Sequence, residues 1–120
     1  MSQKYENPTV IETFLYKLIK QKYYIREEIT VFRFLEAHPF LAQLLLEAYP
    51  YIREYFSGAT VSLEVVADPE EYGREQLVAF IKTDMEPEEA VEALSTFDKV
   101  WWLDSLKRAR GNLCITVEYS

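Results

Sequence analysis

The stretch FDKVWWLDSLKRARG, residues 97–111, decides how this chain folds. Trp101 and Trp102 are adjacent, and neighbouring side chains on an α-helix point about 100° apart. A single surface cannot easily bury both indoles. Either a second surface covers one of them, or a partner does. Lys107, Arg108 and Arg110 follow, where cations suit the negative end of a helix dipole, and Gly111 is a helix stop.

Reading backwards, Glu86-Pro87-Glu88-Glu89 opens that helix, with proline in its first turn and acids over its positive end. The spacing predicts a helix over 87–109 with a bend near Asp98. Ala90, Leu94, Phe97 and Trp101 share one face, which should meet a sheet. Trp102 shares a neighbouring face with Leu106 and Ala109, which helices from the N-terminal half should cover.

The flanking segments have a period of two. Val61, Leu63 and Val65 alternate with Ser62, Glu64 and Val66; Leu77 to Lys82 is a second strand after a polar connection; Asn112 to Tyr119 is a third. The third strand runs parallel to the second and antiparallel to the first. Its partner in the sheet is left open by the sequence. The N-terminal half reads as helices. Residues 8–26 carry the stripe Val10, Ile11, Phe14, Leu15, Leu18, Ile19, with Pro8 in the first turn. Thr30 suits the cap of a helix over 31–38. His38 precedes Pro39, which places a break there. A helix then runs from Pro39 to Phe56, kinked or split at Pro50. The expected class is α+β: N-terminal helices, then strand–strand–helix–strand, with a small, mostly antiparallel sheet packed against helices. Residues 1–29 read as an amphipathic helical extension and 30–120 as a single α+β domain.

At 120 residues, 49% apolar and 15% aromatic, the chain can bury one core. The net charge of −7 is uneven. Residues 1–57 carry seven Lys/Arg against seven Asp/Glu, and residues 58–120 carry six against thirteen. An acidic half repels phosphate backbones, so no direct nucleic-acid partner is expected. No apolar run is long enough to span a membrane, the N-terminus lacks a secretory signal, and a single cysteine fits a reducing compartment. The expected location is the cytoplasm, with no membrane partner.

Catalytic and metal residues are not expected, nor is a cofactor. His38, the sole histidine, has no partner in the sequence to orient it as a base. Cys114 sits mid-strand among apolar residues, the setting of a small hydrophobe. The acids around Asp68 and Asp84 lack the ligand spacing of an EF-hand loop. CxxC, HExxH and phosphate-cradling glycine motifs are absent.

From about Thr30 onward the chain resembles a family of short uncharacterised bacterial proteins, mainly cyanobacterial. FLEAHPFLAQLLLEAYPYIREYF, SLEVVADPE, QLVAFIKTDMEPEEAVEAL and FDKVWWLDSLKRARGNLCITVEY carry the resemblance. Its most specific pieces are PEEA, WWLD and LCITVEY. Glu86 departs from the serine that the family pattern favours before Pro87. The resemblance implies a small accessory protein and assigns no activity.

The first reading is therefore a non-enzymatic interaction module with a protein partner. Self-association as a homodimer through the 8–26 helix is its simplest form. Trp102, Tyr23, Tyr24 and Phe14 are the candidate partner-binding residues, because interfaces favour large aromatics. The alternatives are an acidic, antitoxin-like neutraliser of a basic partner, and a metal-dependent hydrolase using carboxylates near Asp84.

Overall fold

A computed structural model describes residues 14–119. The chain is helical over 14–22 (α1). Then come Tyr24–Ile25 (β1), Glu28–Ala37 (α2), Phe40–Tyr55 (α3), Thr60–Ala67 (β2), Glu75–Thr83 (β3) and Pro87–Phe97 (α4). A π-helical turn over Asp98–Trp102, helix Leu103–Ala109 (α5) and Leu113–Tyr119 (β4) complete it. The chain adopts the expected α+β class, and from α2 onward the expected order helices, strand, strand, helix, strand; β1, ahead of α2, is an additional strand.

The sheet runs β1-β2-β3-β4 and is mixed. β2 and β3 pair antiparallel, while β1–β2 and β3–β4 are parallel. That corrects the mostly antiparallel expectation: β4 pairs with β3, and a fourth strand lies beyond β2. Helix α1 stops at residue 22 rather than 26, and Tyr24 and Ile25 pair with Ser62 and Leu63. The reason is local. Glu27 takes φ 59°, a left-handed turn that ends the short strand and starts α2. Thr30 therefore lies inside α2 instead of capping it. The helix start expected at Pro8 lies outside the described residues.

The expected boundary after residue 29 falls within α2. Ile19 and Tyr23, from the supposed extension, join the same core cluster as Leu63, Ile81 and Phe97. The described part of the extension thus belongs to the domain. Helix α3 continues through Pro50 as one element and presents Leu41, Leu44, Leu45, Ala48 and Ile52 to the core.

Both tryptophans are buried, at 8% and 7% exposure. The π-turn explains how. An i→i+5 turn inserts one residue into the helical ladder and shifts the buried stripe by one position. Ahead of it the stripe is Ala90, Phe97, Trp101; behind it Trp102, Ser105, Ala109. The two stripes meet at the indole pair. Trp101 stacks on Tyr51 of α3 (centroids 5.6 Å, 17° between planes) and on Trp102 (5.6 Å, 26°). The expected bend near Asp98 is this turn. Leu106, expected beside Trp102 in the core, is instead 42% exposed; the inward face of α5 is carried by Ser105 and Ala109. Arg108 then locks α5 to α3 with a bidentate pair to Glu47, at 2.8 and 2.7 Å. Arg110 at φ 54° and Gly111 at φ 76° reverse the chain into β4, and Arg74 donates to the Gly111 carbonyl at 2.9 Å.

One sheet face supplies the core: Val61, Leu63, Leu77, Ala79, Ile81, Leu113 and Ile115. Across the other face lies Arg26. Its guanidinium sits 5.1 Å from the Phe80 ring centroid and pairs with Glu64 at 3.1 Å and Glu118 at 2.8 Å. No single described helix is long and apolar enough to cross a membrane. Helices α2 and α3 together have the composition but bend by 112° at the break between them.

Two outcomes test this packing. Trp102→Ala should lower unfolding free energy by about 3–5 kcal/mol, as loss of a buried aromatic does, whereas Leu106→Ser should stay within about 0.5 kcal/mol; denaturant titration reads both. The Arg108 guanidinium holds the Glu47 carboxyl below its usual range. A depressed folded value gives stability that is complete above the unfolded pKa and lost as pH falls through the folded one. Glu47→Gln should therefore flatten the loss of stability below about pH 4.3, the ordinary glutamate value.

Candidate interaction site

The four aromatic candidates occupy different environments, and they do not converge. Trp102 is core, as described. Tyr23 is 3% exposed, and its hydroxyl donates to the Leu45 carbonyl at 2.5 Å. Burial pushes its pKa well up, so it stays a neutral donor. Both lie inside the core, with little surface exposed. The stripe shift at the π-turn and the end of α1 at residue 22, which decide their burial, are not written in local spacing. Tyr24 and Phe14 are 66% and 61% exposed.

A small apolar hollow of about 30 Å³ lies between α1, α2 and the start of α3. Leu15, Tyr16 and Ile19 form one wall; Phe32 and Leu35 form the other, and Pro39 and Ala42 form the floor. The amphipathic spacing of α1 positions its wall. Tyr16 meets Phe32 edge-on with ring centroids 4.7 Å apart, and Lys20 pairs with Glu28 at 2.5 Å. These contacts join α1 to α2. Burial, with Glu28 nearby, raises the Tyr16 pKa to about 12. Ile29, 68% exposed, stands on α2 one residue beyond Glu28, beside a shallower hollow that shares Tyr16 and Phe32. Ile29 and the hollow are sites that sequence reasoning missed. Ile29 lies opposite the buried stripe of Val31 and Leu35, and that was its available signal.

Tyr24 lines a separate, basic hollow with Lys20, Lys22, Tyr49 and Arg53. Lys22 and Arg53 lie over the Tyr49 ring at 4.9 and 5.8 Å, and Arg53 donates to the Tyr49 hydroxyl at 3.2 Å. Arg53 also stands in the last turn of α3, where a cation suits the helix dipole.

The groups considered for chemistry have structural settings. The His38 ring nitrogen Nδ1 lies 2.9 Å from the Phe34 carbonyl, which accepts its proton, and the ring packs on Phe34. Burial pushes the Cys114 thiol up, away from a reactive thiolate. Asp68 folds its loop by accepting the Glu70 amide at 2.9 Å. Asp84 borders a polar hollow with Lys82 and Ser57. Among the described residues, no three His, Cys, Asp or Glu side chains are placed to hold a metal ion.

No family model matches the chain, and neither a curated protein nor a solved structure matches it.

The contrast between the neighbouring tyrosines is measurable. Tyr23→Phe should cost about 1 kcal/mol by loss of its buried hydrogen bond. Tyr24→Ser should leave stability within about 0.5 kcal/mol.

Proposed function

We propose that this protein is a non-enzymatic interaction module that docks an apolar segment of a protein partner in the α1–α2 hollow. The observation that carries the reading is a small apolar concavity between α1, α2 and α3, next to a shallower hollow that exposed Ile29 lines, with exposed Phe14 at the start of α1. Exposed aromatics and branched aliphatics next to an apolar cleft are the usual anchors of protein interfaces. A second copy of this chain is one such partner, through the segment 8–26.

Deleting residues 1–29 is a poor test, because it removes Ile19 and Tyr23 from the core. Surface substitutions are cleaner. Affinity capture from native lysate should recover a partner that survives a rise from about 0.1 to 1 M salt, where screening removes exposed charge attraction. Phe14→Ser with Ile29→Ser should lose that partner while keeping the native circular dichroism. An association that collapses with salt and ignores both substitutions would replace this reading with the acidic neutraliser.

A further inference from the structure

The sheet has two edges, and they end differently. β1 is two residues long and is cut off by the left-handed turn at Glu27. β4 runs seven residues, Leu113–Tyr119, in unbroken register with β3. It has no proline and no bulge, and Glu118 is its sole charge. Such edges are normally shortened, bulged or charged, because their free main-chain groups recruit another strand.

The hydrogen-bond phase identifies which groups are free. The Leu77 amide donates to the Asn112 carbonyl at 2.9 Å, and Leu77 is the register partner of Leu113. In a parallel ladder this phase directs Asn112, Cys114, Thr116 and Glu118 toward β3. The amides and carbonyls of Leu113, Ile115, Val117 and Tyr119 therefore point outward, and no described strand takes them.

We propose that a second copy of this chain pairs antiparallel along this edge, giving one sheet continuous across a two-fold axis. The register overlapping all seven residues centres on Thr116. It sets Ile115 opposite Val117 and Leu113 opposite Tyr119, all four with outward donors and acceptors. The edge is thus self-complementary in hydrogen-bond phase, as a two-fold contact requires. Its side chains agree. Thr116 faces Thr116, Tyr119 faces Leu113, and Glu118 faces neutral Cys114 instead of its own copy, so no like charges oppose. Glu118 meanwhile keeps its ion pair with Arg26. This surface is distinct from the α1–α2 hollow, and it pairs copies whether or not the hollow binds anything.

The full chain tests it by amide exchange and mass. As concentration rises, the Ile115 and Val117 amides should gain protection at least tenfold, together with a shift from 14.2 kDa to twice that mass. A chain that stays monomeric, with Ile115 and Val117 exchanging freely beside a protected Thr116, overturns the proposal. Val117→Pro removes an outward amide and no bond to β3, so it should return the mass to one chain with dichroism retained. Thr116→Cys in a Cys114→Ala background should form a disulfide between copies, since a non-hydrogen-bonded antiparallel pair brings its Cα atoms to about 4.5 Å. Phe14→Ser should leave the dimer intact. A dimer abolished by Phe14→Ser yet kept by Val117→Pro would assign association to the hollow and overturn the edge.

Discussion

Burial of two adjacent indoles is the constraint on which the rest of this structure depends. Regular α-helical geometry sets Trp101 and Trp102 about 100° apart, and both reach the core where a single turn is widened. That insertion has consequences in both directions. Upstream it lets Phe97 and Trp101 face α3, where Tyr51 supplies a stacking partner. Downstream it rotates α5 so that Ser105 and Ala109 are inward and Arg108 reaches Glu47. The entry angle of β4, and hence its place beside β3, follows from where α5 ends. Helix α3 is the counterpart surface throughout. This is why its apolar stripe runs unbroken across Pro50: packing on both sides outweighs one missing ladder bond.

The N-terminal segment is secured by different physics. Ile19 and Tyr23 are buried anchors, whereas Arg26 works on the far side of the sheet. Its guanidinium lies over Phe80 and bridges carboxylates on β2 and β4, the latter at the opposite edge of the sheet. An exposed ion pair contributes only about 0.2–1 kcal/mol. The significance of Arg26 is placement: it leaves part of an otherwise open apolar face under a charged group. Apolar side chains that stay exposed include Phe14 and Ile29 on α1 and α2, and Val91, Val100, Leu103 and Leu106 along α4, the π-turn and α5.

Legibility in the sequence followed the range of the interactions. Strands β2, β3 and β4 were readable to within two residues, because alternation is a local record of a half-buried sheet. So were the proline start of α4, the stop at Gly111 and the break at His38. The stub β1 was not readable: two residues carry no period, and their strand state comes from pairing with Ser62 and Leu63. Of the four aromatics selected from the sequence, Phe14 and Tyr24 are exposed, but Tyr23 and Trp102 share their chemistry and differ only in what covers them. The hollow needs three helices to exist, so no one segment announces it.

The amino-acid sequence by itself determined the class of fold, the order of its main elements and the presence of two indoles needing two surfaces. Periodicity, proline and glycine act over a few residues, so they are legible in one dimension. Tertiary structure decided which strand β4 joins, where the helical ladder gains a residue and which aromatics end up inside. Those outcomes depend on contacts between segments dozens of residues apart, and the free energy of packing them settles choices that local propensity leaves nearly equal.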